Sequence, residues 1–125
     1  MPLSAKVRER CRALLPPGTE IRYLFPAVAS TAVGPSLVSK PFIFVVTDRN
    51  IVMLACSWLS HDRPKSVHWT YERSLRLGPV DTTSDPVFTV DGSPFQTWDE
   101  YVSVIAAADA ETTRDSFPPD PLPDL

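Results

Sequence analysis

Apolar residues occur along this chain in short alternating or continuous runs, which predicts a mainly β protein with a helix near each end. The clearest case is residues 41–58, PFIFVVTDRNIVMLACSW, where two runs rich in β-branched and aromatic residues flank four polar ones. This pattern is typical of a β-hairpin. Asp48 and Arg49 suit a type I turn, and Asn50 suits a following left-handed position. Because both strands are apolar on both faces, we expect another element to cover each face.

The chain before this hairpin carries a weaker strand pattern. Residues 19–29, TEIRYLFPAVA, alternate well enough for a strand with Ile21, Tyr23 and Phe25 on one side. Pro26 is expected to close or bend that strand, because proline cannot donate a ladder hydrogen bond. The segment that follows, STAVGPSLVSK, is expected to form a long loop.

Strict alternation returns in residues 66–77, SVHWTYERSLRL. The apolar positions, which include Trp69 and Tyr71, are expected on the buried side, and His68 and Arg76 on the polar side. The segment is therefore predicted to form a half-buried antiparallel ribbon, either one bent strand or two strands joined by a turn.

A second hairpin and a helix are predicted near the C-terminus. In residues 86–98, PVFTVDGSPFQTW, Asp91-Gly92 is a typical two-residue hairpin turn. Thr97 and Glu100 have the spacing of a capping box, which predicts that a helix begins there. Apolar residues at helical spacing then predict which side of this helix is buried. They are Trp98, Tyr101, Val102, Ile105 and Ala106.

A short N-terminal helix is predicted over residues 3–15, with Ser4 as its N-cap and Pro16-Pro17-Gly18 ending it. Its apolar residues recur at i, i+4, i+7 and i+8, and therefore share one face. They are Val7, Cys11, Leu14 and Leu15. This face is expected to cover the outer side of the hairpin in residues 41–58, either within one chain or across a dimer.

Length and composition indicate one domain and a tail. A chain of 125 residues with 43% hydrophobic residues can bury one core without a disulfide or metal. We assign residues 1–111 to a single domain and residues 112–125, which are rich in proline and acidic, to a disordered tail. Two cysteines without a CxxC pair, and an N-terminus without an apolar signal region, predict a cytoplasmic protein. No run of residues is apolar enough to predict a transmembrane segment.

The net charge of −3 conceals an uneven distribution. Residues 1–76 contain eleven Lys or Arg and five Asp or Glu, a balance of +6. Residues 77–125 contain one Arg and ten acids, a balance of −9, and the two balances sum to −3. The basic part could meet an anionic partner, or the two parts could fold together and neutralise each other.

Motifs for catalysis, metal binding and nucleic-acid binding are weak. The chain has four glycines and neither a phosphate-binding glycine-rich loop nor a GxSxG motif, so no catalytic residue and no cofactor is predicted. Cys56, His61, Asp62 and His68 match no common zinc spacing, so no metal is predicted. The mixture of aromatic and basic residues in 58–76 could suit nucleic acid, but the expected burial of Trp69 and the acidic total charge argue against it.

Four stretches resemble a family of bacterial, mainly actinobacterial, pleckstrin-homology-like (PH-like) domains. They are LLPPGTEIRYLFPA, FVVTDRNIVML, RPKSVHWTYERSLRLGP and YVSVIAAADAE, which together lie within residues 13–111. Two positions depart from the family pattern, Asn50 in the hairpin turn and Glu72 in the ribbon. The resemblance implies an antiparallel barrel or sandwich of about seven strands, with a C-terminal capping helix and here a short N-terminal helix. It implies a scaffold and not an activity.

The sequence thus favours a non-enzymatic interaction module that binds a protein or peptide, with self-association as one form of this. Trp58, Leu59 and Leu14 are the predicted protein contacts. The alternative is weak recognition of an anionic lipid or phosphate, which requires several basic side chains to meet at one mouth of the barrel. These are Arg22, Lys40, Arg49, Arg63 and Lys65.

Overall fold

The computed structural model describes residues 5–33, 35–57 and 63–116, which form an antiparallel sheet flanked by two helices. The elements are α1 (Ala5–Arg12), β1 (Ile21–Val33), β2 (Ser36–Thr47), β3 (Asn50–Cys56), β4 (Pro64–Glu72), β5 (Val87–Val90), β6 (Ser93–Gln96), a 3-10 turn (Asp99–Tyr101) and α2 (Val102–Ser116). The strand order is β4-β3-β2-β1-β6-β5. The mainly β prediction with a helix at each end is confirmed. In the described ranges β4 and β5 are the two edges, so the sheet is not closed.

The β2–β3 hairpin forms where the sequence predicts it, and it is the centre of the fold. Val46 pairs with Ile51, and the register continues to Phe42 and Ala55. Successive residues of a strand point to opposite faces. Phe42, Phe44 and Val46 therefore lie on one face of β2, and Ile43 and Val45 lie on the other. Each face contributes to a separate buried cluster. Both faces of the hairpin are therefore covered, as their apolar character requires.

Helix α1 covers the outer face of this hairpin within the same chain. Val7 and Cys11 are 3% and 0% exposed, and Leu15 follows in the turn after the helix. They pack against residues of the first three strands, which are alternate residues in β2 and β3. These are Ile21, Leu24, Ile43, Val45, Val52 and Leu54. The predicted helix face is confirmed, and of its two predicted arrangements the intrachain one is observed.

The inner face of the sheet holds an aromatic core. The rings of Phe25 and Phe44 stack with centroids 5.3 Å apart. Phe88 and Phe95, from the second hairpin, meet Phe44 edge to face at 5.4 and 5.2 Å, which is a favourable geometry for aromatic pairs. Tyr101, with Ile105 and Ala108 of α2, belongs to the same cluster. The buried side of α2 therefore differs from the prediction, since Trp98 and Ala106 are exposed.

The predicted loop in residues 30–40 is wrong, because β1 and β2 continue through it as a hairpin arm. The register runs unbroken from Ala29 and Lys40 to Val33 and Ser36. Pro26 does not end β1 and pairs with Ile43. Its carbonyl accepts a hydrogen bond from the side chain of Thr97, on the side away from β2. A strand residue directs its N–H and C=O to the same side, so the missing N–H of proline removes no bond from the β1–β2 ladder.

Two predicted turn and cap assignments are also wrong, because side-chain hydroxyls bind elsewhere. Among the described residues, Asp91 is the only non-glycine with positive φ, so Asn50 is not left-handed. Instead, the Thr47 hydroxyl accepts the N–H groups of Arg49 and Asn50 at 3.1 and 3.0 Å. Thr97 makes no capping box, because its hydroxyl donates to the β1 carbonyl and Trp98 takes the N-cap position. The Asp91-Gly92 turn is confirmed, with φ of 52° and 81°.

Helix α2 extends to Ser116 and so includes the first five residues of the predicted tail. Residues 117–125 lie outside the described part, as does the predicted N-cap Ser4. No helix within the described ranges is long and apolar enough to cross a membrane.

Candidate functional site

A cavity of about 570 Å³ lies on the inner side of the sheet, where β4 faces the turn of the β5–β6 hairpin. Its floor contains side chains of the aromatic core, namely Phe42, Met53 and Phe95, each 4–7% exposed. The cavity exists because β4 and β5 do not pair, so the inner face of the sheet remains open between them. An apolar floor with polar side chains around it is the usual form of a ligand-binding cleft.

A bulge in β4 brings His68 to this cavity. Met53 pairs with Trp69 but the next residue of β3, Leu54, pairs with Val67, which leaves His68 as the extra residue. The His68 ring lies 5.2 Å from the Phe42 ring. The strict alternation predicted for this strand therefore breaks at the bulge. Trp69 is 59% exposed and not in the core, which corrects its predicted burial.

Charged groups border the cavity unevenly. Lys40 on β2 and Lys65 near the start of β4 are both exposed at its rim. Asp91, in the β5–β6 turn, borders it together with Tyr71, near the end of β4. Burial, and then the negative charge of Asp91, raise the pKa of the Tyr71 hydroxyl, so that carboxylate is close to Tyr71. We call Lys40 with Lys65 the basic end of the cavity, and Asp91 with Tyr71 the acidic end.

The outer edge of β4 is open over the part of the chain that the structure describes. The strand has nine residues and pairs with β3 alone. Seven of the nine are exposed, and two of these are large apolar residues, Val67 at 46% and Trp69 at 59%. An open edge that presents apolar side chains is unusual, because it offers unpaired backbone groups to any extended segment.

The structure brings together only some of the predicted basic residues. Lys40 and Lys65 share the cavity rim, and Arg63 immediately precedes β4 at the same end. Arg22 is ion-paired with Glu111 of α2. Arg49 is exposed at the β2–β3 turn, 3.9 Å from the Asp48 carboxylate.

Of the three predicted protein contacts, only Leu14 lies within the described residues. Leu14 is partly buried against the cluster beneath α1. Trp58 and Leu59 lie outside the described residues. Sequence reasoning missed Phe42, His68 and Asp91 as residues of one cavity. The Asp-Gly turn located Asp91 in a hairpin, but nothing in the sequence indicated that this turn faces β4.

Other titratable groups have structural partners. The Glu111 carboxylate accepts hydrogen bonds from the Tyr23 hydroxyl at 2.7 Å and from the Arg22 guanidinium, and Arg73 lies 3.9 Å away. The Tyr23 hydrogen bond is the main cause that lowers the pKa of Glu111. These contacts join α2 to the start of β1 and to the segment after β4, so they fasten the helix to the sheet.

The two free cysteines lie in different surroundings. Burial raises the pKa of the Cys11 thiol to about 11, so it remains protonated and unreactive at neutral pH. Cys56 is partly exposed at the cavity. Searched over the described residues alone, the structure contains no group of three or more His, Cys, Asp or Glu side chains that could hold a metal. His61 and Asp62 of the sequence-based metal hypothesis lie outside them.

No protein-family model matches the chain, and no curated protein or solved structure matches it either.

Proposed function

We propose that this protein is a non-enzymatic module that binds an extended segment of a partner protein along the edge of β4. The single observation that carries the proposal is the open, nine-residue edge of β4 beside a cavity with an apolar floor. A segment added to the edge would satisfy backbone groups of β4, and alternate side chains of that segment could enter the cavity. Val67 and Trp69 would be covered in the complex.

We also propose that the scaffold is a variant of the PH-like fold. Three features support this. Strand β1 pairs with both β2 and the last strand, β6. Helix α2 follows β6 and packs on the inner core. An isolated bridge between Asp81 and Val87 continues the sheet beyond β5, where a seventh strand would lie.

A second candidate function is recognition of an anionic lipid or phosphate, and Lys40 with Lys65 at the cavity rim favours it. The other basic residues support it less. Arg22 is engaged by Glu111, and Arg49 belongs to the β2–β3 turn, where it does not border this cavity. The peptide function uses both the open strand edge and the cavity, so it is the better supported of the two.

The experiment is a selection of random peptides on the full chain, followed by amide hydrogen exchange with the enriched sequence. Amides of β4 that point away from β3 should become protected when the peptide is bound. Val67→Lys should weaken binding, because it places a charge on the covered edge. Val38→Lys is the matched control, since Val38 is similarly exposed, at 41%, on the β1–β2 arm.

Failure to enrich any peptide would contradict the proposal. So would an enriched peptide that protects amides elsewhere and binds the Val67→Lys variant as well as it binds the wild type.

A further inference from the structure

The two ends of the cavity carry opposite charge, and β4 connects them. Lys65 lies near the start of β4 and Tyr71 near its end. The basic end contains Lys40 and Lys65, and the acidic end contains Asp91. A strand rises about 3.3 Å per residue, so the six steps from Lys65 to Tyr71 span roughly 20 Å, less what the bulges remove. This length matches about six residues of an extended segment.

The charge at each end is open to a ligand. Lys40, Lys65 and Asp91 are all exposed. Between them the floor is apolar, with Phe42, Met53 and Phe95 from three different strands. The chemistry along the cavity thus changes from basic to apolar to acidic.

We infer that the segment bound along β4 also carries opposite charges at its two ends, and that each is complementary to the end of the cavity it meets. It carries an acidic residue at the Lys40–Lys65 end, apolar side chains in its middle and a basic residue at the Asp91 end. Complementary charges at the two ends fix the direction and register of an added strand, which backbone hydrogen bonds alone leave open. This inference rests on the proposed function, because it assigns the chemistry of the same partner.

The acidic end argues for a peptide and against a lipid or free phosphate. A ligand with only negative charge would gain from Lys40 and Lys65 but would be repelled by Asp91 on the facing turn. A peptide that contains both signs of charge satisfies both ends. Exposed ion pairs contribute modestly each, so the expected effect is on direction and specificity more than on affinity.

The test uses three fluorescent nonapeptides with the same Thr-Val-Phe-Val-Thr centre. One has Glu-Glu before the centre and Lys-Lys after it, one has the reverse order, and one has Gln-Gln at both ends. Binding to the full chain is measured by fluorescence anisotropy. One of the two charged orders should bind about three- to tenfold more tightly than the Gln peptide, and the other order more weakly than it, as a few exposed charge pairs allow.

Charge-reversal variants identify the end responsible. Lys65→Glu should remove or reverse the preference for one order. Lys6→Glu, on α1 at the opposite face of the sheet, changes the net charge equally and should leave the preference intact. Alkylation of Cys56 at the cavity should be slowed by the preferred peptide, and Cys11 serves as the buried internal control.

The outcomes distinguish failure of the inferred charge pattern from failure of the proposed peptide-binding function. If the three peptides bind equally well and Val67→Lys weakens all of them, the inferred charge pattern is wrong and the proposed function stands. If none of them binds but the random selection enriches a peptide that protects β4, the inferred charge pattern is wrong and the proposed function stands. If the selection also enriches nothing, both are wrong. Lys65-dependent binding to vesicles of phosphatidylcholine with phosphatidylserine, without peptide binding, would likewise overturn both and favour the lipid function.

Discussion

Asp109 of α2 fastens the helix to the segment that follows β4, and its removal should be among the most destabilising single changes outside the apolar core. The carboxylate accepts the backbone N–H groups of Leu77 and Gly78 at 2.8 and 2.7 Å. Leu77 is fully buried, and its N–H has the Asp109 carboxylate as its partner. The approach at Gly78 is so close that a Cβ there would lie 3.0 Å from the carboxylate.

The magnitude follows from these two bonds. A hydrogen bond to a charged group contributes about 1.5–3 kcal/mol, so two contribute roughly 3–6 kcal/mol. Asp109 is only partly buried, and alanine favours a helix by several tenths of a kcal/mol over aspartate. We therefore expect Asp109→Ala to lower the free energy of unfolding by about 2–4 kcal/mol. Asp109→Asn keeps one acceptor oxygen and should lose about half as much.

Urea unfolding followed by circular dichroism measures the change. Asp85→Ala, in the exposed segment before β5, is the control for loss of a carboxylate, and it should stay within about 0.5 kcal/mol of the wild type. A loss at Asp109→Ala no larger than the control would refute the reasoning, because it would mean that the two N–H groups find equivalent partners.

Two further predictions concern polar contacts that join distant parts of the chain. The pKa of Glu111 is lowered from its usual 4.5, chiefly by the Tyr23 hydrogen bond. The ionised Glu111 carboxylate therefore contributes its full stabilisation above pH 4.5, and this stabilisation is lost as the pH falls through the lowered pKa. Glu111→Gln should therefore flatten the fall in melting temperature as the pH is lowered below 4.5, and an unchanged slope would contradict this. Thr97 is 2% exposed, and its hydroxyl donates a hydrogen bond of 2.8 Å to a β1 carbonyl. Thr97→Val removes this donor and should lower the free energy of unfolding, measured in urea, by about 1–3 kcal/mol. The exposed control Thr89→Val on β5 should change it little, and equal effects of the two variants would contradict the assignment.

Local features of the fold were predictable from the sequence. The β2–β3 hairpin has strands that are apolar on both faces and a short polar turn, and the second hairpin has Asp91-Gly92. The buried face of α1 follows from its helical spacing. Each of these patterns depends on residues within a few positions of each other, and the physical preferences of the backbone act at that range.

Features that depend on a distant partner were not predictable. The segment in residues 30–40 has no apolar alternation, yet it pairs because the β1–β2 register simply continues. Thr97 has a good capping-box spacing, but a carbonyl 71 residues away takes its hydroxyl. Trp69 alternates with core residues, but the bulge and the position of β4 at the sheet edge leave it exposed.

The sequence by itself therefore determined the class of structure, the two hairpins and the surfaces that must be covered, because periodicity and turn chemistry are encoded locally. Only the tertiary structure decided the strand order, the open edge of β4 and the cavity. In the folded chain the β5–β6 turn lies opposite β4, and Lys40, Lys65 and Asp91 meet around one floor. Their separation along the chain gives no sign of this, because side chains from two strands and a turn meet only when these elements are packed.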